Sequence, residues 1–185
     1  TLLAGIAKRE LDASGAVQCF LGAAETTGMI FMIFLGADML NSALALSQMP
    51  MRLAQAVAAS GLPPLAVVIG ILLFYIVLGS VMDELSMILL TIPILLPSVM
   101  GLELYGLDPT SKAIWFGILV LCVVEIGLIA PPVGLNVYVV NGFARDVPMA
   151  ETYRGVLPFL AADAVRVALL LAFPGLSLWL VKILT

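Results

Sequence analysis

Glycine, proline and acidic residues interrupt two otherwise apolar stretches of this chain, at residues 79–86 and 127–136. A helix that is broken inside a membrane leaves backbone carbonyls and amides without their usual partners. Free carbonyls can coordinate Na⁺, and free amides can face an anionic group. The two interruptions are therefore the first candidates for an ion or solute site. The alternative is that they only kink helices whose neighbours satisfy the freed backbone groups.

An acidic pair, Asp83 and Glu84, lies between the two apolar runs 65–79 and 85–96. A carboxylate inside a membrane costs roughly 2.5–3.5 kcal/mol on insertion scales, so a buried one needs a partner or a polar cavity. At the membrane surface the same residues would be ordinary solvated acids. We expect Asp83 to be buried, and both possibilities stay open for Glu84.

Polar residues also occur inside two other apolar stretches. Asp38, Asn41 and Ser42 stand at i, i+3 and i+4, which puts them on one face of a helix. They can line a solute path or hydrogen-bond to a neighbouring helix, and the second use is commoner for Asn and Ser. Asp163 and Arg166, three residues apart, are expected to form a structural ion pair.

The chain contains two cysteines, no histidine and no G-x-x-x-x-G-K-[ST] sequence. Ser/His/Asp and Cys/His nucleophilic sites, histidine-bearing zinc sites and ATP hydrolysis through a phosphate-binding loop are therefore excluded. We expect no enzyme activity and no covalently bound cofactor. The net charge of −4 and the scattered basic residues give no footprint for nucleic acid.

The composition indicates that the chain is embedded in a lipid bilayer. Hydrophobic residues make up 63% of it, charged residues 11%, and the mean hydropathy is +1.20. Soluble domains have about 45–50% apolar and about 25% charged residues. A hydrocarbon core about 30 Å thick needs about 20 apolar residues per spanning helix, which leaves room for roughly four to six passes. The expected fold is an all-α integral membrane protein.

The hydrophobic pattern divides the chain into an amphipathic connecting helix, 1–22, and a transmembrane region, 23–185. That region is predicted to contain a span at about 23–47, a re-entrant hairpin at 63–100, a Pro/Gly-broken span at 113–144 and a final span at 156–184. Within the broken span we expect two half-helices around an unwound segment, 129–135, because consecutive prolines each remove a backbone donor. Since Thr1 is not a methionine and no secretory signal follows it, we expect a fragment or a processed portion.

Several motifs along the chain resemble the large membrane subunit of tripartite ATP-independent periplasmic (TRAP) transporters. They are Met82-Asp83 followed by TIPILLP at 91–97, GLDP at 106–109, and GLIAPPVGLN at 127–136. Their order and spacing are fairly specific. The resemblance extends from the first span to the last, and it implies that the chain is the C-terminal half of that subunit, without the first hairpin.

The resemblance implies an elevator-type secondary transporter built from inverted repeats, located in the inner membrane of bacteria. A Na⁺ gradient would drive the import of small organic acids, often carboxylates such as C4-dicarboxylates or sialic acid. The partners implied are a small membrane subunit and a soluble periplasmic protein that captures the substrate.

The resemblance also implies that the hairpin tip faces the proline break across a sodium site. The candidates for binding substrate or ion are Gly79, Ser80, Asp83, Gly127, Ala130, Pro131, Gly134 and Asn136. Sodium would be held mostly by backbone carbonyls, at Gly79, Asp83, Gly127, Ala130 and Gly134. The family commonly has threonine where this chain has Ala130, so a hydroxyl ligand is missing there and only the carbonyl remains.

Two other interpretations stay open. In an ion channel or a proton-coupled carrier, an intramembrane carboxylate of Asp38, Asp83 or Glu125 would titrate or set selectivity. In a purely structural or assembly module, the isolated 185 residues would bind little Na⁺.

Overall fold

The computed structural model describes residues 13–131, 134–143 and 147–184, and every regular element among them is an α-helix. The helices are α1 (Ala13–Leu46), α2 (Met49–Ala59), α3 (Pro64–Gly79), α4 (Glu84–Met100), α5 (Pro109–Ile129), α6 (Leu135–Phe143), α7 (Met149–Ala172) and α8 (Pro174–Leu184).

The described residues fall into two compact units that divide after Leu40. The first contains the part of α1 from Ala13 to Leu40, an apolar segment whose side chains are mostly exposed. We predicted a separate connecting helix up to residue 22. Instead, α1 is one continuous helix, so residues 13–22 continue into the first predicted span. The second unit starts at Asn41 and contains the other helices.

Among the described residues, three helices are long and apolar enough to cross a membrane. They cover Ser14–Leu46, Pro109–Ile129 and Met149–Ala172. The two helices of the predicted hairpin, α3 and α4, have only 16 and 17 residues and are also apolar. A single crossing needs about 20 residues, so each of these two helices is short for a span.

Residues 80–83 connect α3 to α4, and two polar contacts fix this turn. The Asp83 side chain accepts a hydrogen bond of 2.9 Å from the backbone N–H of Ser86 and so caps the start of α4. Further along the pair, the Thr91 hydroxyl donates to the Tyr75 hydroxyl oxygen at 2.7 Å. The turn and the partly buried hydrogen bond between Thr91 and Tyr75 hold the two short helices side by side.

Two prolines, Pro93 and Pro97, lie inside α4 without ending it. Pro93 has no N–H, so the carbonyl of Leu89, four residues earlier, loses its helical donor. The side-chain amide of Asn41 donates to this carbonyl at 3.0 Å and replaces the missing bond. Of the two uses predicted for Asn41, the structure therefore shows the hydrogen bond to a neighbouring helix.

The core of the second unit forms where α3 packs against α5. Its fully buried large side chains include Val68 and Tyr75 of α3, and Trp115, Phe116 and Leu119 of α5. Inside a bilayer the surrounding lipid is as apolar as these side chains, so close packing holds the helices together more than removal from water does.

Two charged side chains fix the connection between α4 and α5. Asp108 caps α5 by accepting a 3.0 Å hydrogen bond from the Ser111 N–H. The hydrogen bonds from the Ser111 side chain and backbone lower the pKa of Asp108, so its carboxylate is ionised at neutral pH. One turn later the buried Lys112 ammonium donates to the carbonyls of Met100 and Leu102. This cation lies at the negative end of the α4 dipole.

The final span that we predicted as one helix is two helices, α7 and α8, and Pro174 explains the break. Pro174 cannot donate to the carbonyl of Leu170, four residues earlier. The indole N–H of Trp115 donates to that carbonyl at 2.9 Å. The hydroxyl of Tyr105 donates to the next carbonyl, of Leu171, also at 2.9 Å. Side chains from another part of the fold thus supply hydrogen-bond donors to the last carbonyls of α7.

Candidate functional site

Two of the predicted site residues, Gly79 and Gly127, form a backbone-to-backbone contact between α3 and α5. A methyl group added to Gly127 would lie 2.8 Å from the Gly79 Cα and 2.9 Å from the Ile76 oxygen. A methyl group added to Gly79 would lie 3.2 Å from the Gly127 Cα and 3.2 Å from the Val124 oxygen. Only glycine at both positions leaves room for this approach, which brings the end of α3 against the last turns of α5.

The helix break next to this contact removes the usual helical donors of two carbonyls. Pro131 and Pro132 have no N–H to offer the carbonyls of Gly127 and Leu128, four residues earlier. Among the described residues, the Gly127 carbonyl accepts a hydrogen bond only from the Ala130 N–H, at 3.3 Å. No described residue donates to the Leu128 carbonyl. Carbonyls at a helix C-terminus carry partial negative charge, so this end of α5 suits a cation.

The backbone after α5 is extended at Ala130 and left-handed at Gly134. Ala130, which is buried, has φ −80° and ψ 145°, and the described residues 130, 131 and 134 are not helical. Gly134 has φ +57°, a backbone conformation that residues other than glycine rarely adopt. A methyl group there would lie 3.2 Å from the Ala130 oxygen. The double proline thus ends α5 where the sequence led us to expect a break.

The turn of the hairpin presents one buried and one exposed candidate. Ser80 is buried, and its hydroxyl donates to the Val77 carbonyl at 2.7 Å. The prediction that Asp83 is buried was wrong, since its side chain is exposed and caps α4. Glu84, the first residue of α4, is half-buried. A carboxylate that caps a helix satisfies orphan backbone N–H groups, which explains an acid at this point without a bound ion.

The other predicted site residues lie at the edges of the break. Pro131 is exposed, and Asn136 is exposed in the first turn of α6. For Asp83 and Asn136 the structure shows no hydrogen bond to the other candidates in the described part of the chain. The residues that it does bring together are Gly79 and Gly127, with Ala130 and Gly134 in the segment that follows.

Comparison with known proteins identifies the family of this chain. Residues 1–176 match the family described as the Tripartite ATP-independent periplasmic transporter, DctM component. The chain belongs to this family. Its members in the curated comparison are TRAP transporter permeases, which also agrees with the motifs that carried the resemblance.

Three relatives illustrate the range of named TRAP permeases. The chain is 31% identical to the C4-dicarboxylate TRAP transporter large permease protein DctM of Pseudomonas aeruginosa, over 92% of this chain and 38% of the relative. It is 29% identical to the sialic acid TRAP transporter large permease protein SiaM of Vibrio cholerae, over the same two shares. It is 29% identical to the isethionate TRAP transporter permease protein DctMQ of Oleidesulfovibrio alaskensis, over 83% of this chain and 23% of the relative.

These shares mean that the chain spans between 23% and 38% of the length of these three relatives. No solved structure matches the chain. The family and the three helices long enough to cross a membrane identify this TRAP permease chain as a multi-pass protein of the bacterial inner membrane.

Three charged residues of α5 and α7 in this TRAP chain form a network on the side of α5 away from Gly127. Arg166 pairs with Asp163 at 3.1 Å, which confirms the predicted ion pair. Arg166 also lies 3.8 Å from Glu125 of α5, a contact that the sequence did not predict. Asp38 is exposed in α1. Glu125 is two residues from Gly127 and therefore about 200° away around the helix axis.

The residues that sequence reasoning missed are those that satisfy freed carbonyls. Lys112, Trp115 and Tyr105 each donate to a carbonyl near the end of a helix. For Trp115 a signal was available, because Pro174 must leave the Leu170 carbonyl without a donor. Nothing in the sequence indicated which side chain would supply it.

Proposed function

We propose that this chain forms part of a secondary transporter that imports a small organic acid with Na⁺, with the hairpin turn and the proline break contributing to the ion site. The observation that carries the proposal is the end of α5. There the carbonyls of Gly127 and Leu128 lose their helical donors, directly beside the glycine contact with α3. Carbonyls freed in this way are the groups with which broken transporter helices coordinate Na⁺.

The depth of the break also favours this role. Trp115, near the start of α5, bonds to Leu170, near the end of α7, while Glu125, later in α5, pairs with Arg166, earlier in α7. The two helices are therefore antiparallel. If α7 is centred in the bilayer, Arg166 lies about 8 Å from its middle, and α5 continues about 6 Å beyond Glu125 toward that middle before it ends at Ile129. Transporter sites for coupling ions lie near this depth.

The lengths of α3 and α4 support a re-entrant hairpin. Sixteen residues of helix extend about 24 Å, which is less than the hydrocarbon thickness of about 30 Å. In our proposal the two helices enter from one side and turn back at residues 80–83. The contact of their turn with α5 would let hairpin and broken helix move together, as an elevator mechanism built from inverted repeats requires.

The substrate class and the partners rest on the relatives. Three of them are named for C4-dicarboxylate, sialic acid and isethionate, all small organic anions. We therefore propose that the substrate of this transporter is a small organic acid. Two partners belong to the proposal, a small membrane subunit and a periplasmic protein that delivers the acid.

The test is uptake into proteoliposomes by the full-length permease with its small subunit and binding protein. Uptake of a labelled organic acid should require an inward Na⁺ gradient and the loaded binding protein. Replacing Na⁺ by K⁺ at equal ionic strength is the matched control. Uptake that continues without Na⁺, or without the binding protein, would overturn the proposal.

One observation favours the alternative of a proton-coupled carrier. Glu125 is 65% exposed within a predicted membrane crossing, and an ionisable side chain at such a position is a candidate member of a proton path. Replacing Glu125 by Gln separates the two proposals. Uptake that loses its pH dependence in this variant and is indifferent to Na⁺ favours the proton-coupled carrier, whereas uptake that keeps its Na⁺ requirement favours the sodium site.

A further inference from the structure

A small pocket lies at the end of the hairpin away from its turn, where α3 begins and the chain has just left α4. It is lined by Pro63, Pro64, Leu65, Glu103, Leu104 and Tyr105. Its volume is about 220 Å³. Pockets for drug-sized ligands have about 300–1,000 Å³, so this pocket suits a single long side chain. Among the described residues that line it, Glu103 carries the charge.

The loop that carries Glu103 is fixed on both sides of this residue. Its sequence neighbours Leu102 and Leu104 are both buried. The next residue, Tyr105, donates a hydrogen bond to the Leu171 carbonyl at 2.9 Å. Glu103 itself is exposed between these anchors. A carboxylate on a loop that is already ordered binds a partner with a smaller loss of conformational entropy.

The carboxylate of Glu103 has no partner in the described part of the chain. The ion pairs there involve Arg166, Asp163 and Glu125 instead. The prolines at the start of α3, which line the same pocket, have no N–H to offer this carboxylate. The whole segment 61–111 contains four acidic residues and no basic residue. The pocket therefore favours a cationic ligand.

We propose that this pocket receives one Lys or Arg side chain of the periplasmic protein that delivers the acid, and that the pocket faces the periplasm. The cationic group pairs with Glu103, while the apolar stem packs along Leu65 and the half-exposed Tyr105 ring. Basic side chains pack their stems on apolar surfaces in this way, and their cationic groups are attracted to aromatic faces. The inference rests on the proposed function and goes further by naming a docking contact.

Charge decides against the other occupants of this pocket. A phospholipid headgroup brings a phosphate, and the segment 61–111 has no basic residue to receive it. A second copy related by twofold symmetry would bring two Glu103 carboxylates together. Ca²⁺ takes about six to eight oxygen ligands, more than one carboxylate supplies. A basic side chain needs one carboxylate and an apolar wall, and the pocket provides both.

Binding of the delivering protein to the full-length permease, held with its small subunit in lipid nanodiscs, tests the proposal. The probe is the purified binding protein with a fluorescent label. Glu103→Gln should raise the Kd about threefold, as the loss of an exposed ion pair does. Glu103→Lys should raise it about tenfold, because repulsion replaces attraction. Glu151→Lys is the matched control, since this exposed acid lies at the opposite end of α7 from Leu171, to which the loop is bonded.

Ionic strength and sidedness provide two further measurements. Raising KCl from about 50 mM to about 500 mM should weaken binding to the unmodified permease more than to Glu103→Gln, because salt screens the ion pair. Glu103→Cys, in a permease whose other cysteines are replaced by serine, should react with a membrane-impermeant maleimide in intact spheroplasts. This reaction places the pocket on the periplasmic side.

Three outcomes would overturn the proposal. They are a Kd for Glu103→Lys equal to that for Glu151→Lys, labelling of Glu103→Cys only after the spheroplasts are lysed, and release of the small subunit by Glu103→Lys without weaker binding of the delivering protein. Uptake that needs no binding protein counts against the proposed function itself. Uptake that needs it, with an unchanged Kd in Glu103→Lys, counts against this pocket alone.

Discussion

Proline breaks a helix at two places in the second unit, with opposite results. At Pro174 the freed carbonyls of α7 receive donors from two aromatic side chains, Trp115 and Tyr105. At Pro131 and Pro132 the described residues supply no side-chain donor to the freed carbonyls of α5. The same loss of an N–H is thus compensated by side chains at the end of α7, whereas at the end of α5 the described residues offer no side chain in its place. In the proposed function, the end of α5 is the one that receives a mobile ion.

A third helix end sharpens this comparison. At the end of α4 the chain supplies its own cation, because the Lys112 ammonium donates to the carbonyls of Met100 and Leu102. Because the Lys112 side chain already contacts these carbonyls, an exchangeable ion has no role there. At the end of α5 the glycine contact keeps the backbone of α3 close instead. Variants of the two proline breaks should therefore separate ion binding from structural stability.

The largest effect is expected for Gly127→Ala. The added methyl group would lie 2.8 Å from the Gly79 Cα and 2.9 Å from the Ile76 oxygen, both backbone atoms that cannot move aside locally. We expect loss of Na⁺-dependent uptake by the reconstituted full-length transporter. Gly117→Ala in the same helix is the control, because its methyl group meets nothing within 4 Å. Uptake by Gly127→Ala equal to that of the control would show that the close contact is dispensable.

A smaller effect is expected for Gly79→Ala. Its methyl group would lie 3.2 Å from the Gly127 Cα and the Val124 oxygen, so the neighbours must shift by tenths of an ångström. Overpacking of this kind costs about 1–3 kcal/mol. We expect the Na⁺ concentration for half-maximal uptake to rise about tenfold, the equivalent of about 1.4 kcal/mol. Gly70→Ala, in open space on α3, should leave it unchanged. An unchanged Na⁺ requirement in Gly79→Ala would separate the glycine contact from ion binding.

The sequence predicted where the helices break better than how they meet. The break after Ile129 follows from the chemistry of consecutive prolines, which is local. The same rule applied to single prolines would have divided the final span at Pro174, as observed, but also at Pro158, which lies inside α7. The contact between Gly79 and Gly127 could not be predicted in this way, because it depends on how two helices 48 residues apart cross.

The expectation that Asp83 is buried was wrong. Its insertion between two apolar runs suggested burial, but Asp83 and Ser86 have the spacing of a helix cap. The capping pattern was therefore the better guide. For Glu125 the sequence left several roles open, because its partner Arg166 lies 41 residues away on another helix.

At the break at Pro174, Trp115→Phe should reduce stability without changing ion binding. Phenylalanine keeps the buried apolar ring but removes the donor to the Leu170 carbonyl, at a cost of about 1–2 kcal/mol. We expect a lower unfolding temperature in detergent. The Na⁺ concentration for half-maximal uptake should be unchanged. Trp179→Phe, at an exposed position in α8, is the matched control. If Trp115→Phe raised that Na⁺ concentration as much as Gly79→Ala does, the break at Pro174 would also affect ion binding, contrary to our expectation.

The smallest effect is expected for Tyr105→Phe at the same break. Its hydroxyl donates to the Leu171 carbonyl at 2.9 Å, but the residue is 51% exposed, so polar surroundings can replace part of the lost bond. The ring would keep its edge-on contact with Trp115, at 5.8 Å between centroids. We therefore expect a loss of about 0.5–1 kcal/mol, seen as a small decrease in unfolding temperature relative to Tyr138→Phe, an exposed control. A decrease larger than that of Trp115→Phe would mean that Tyr105, whose φ of +52° is unusual for a bulky residue, is the main support of this break.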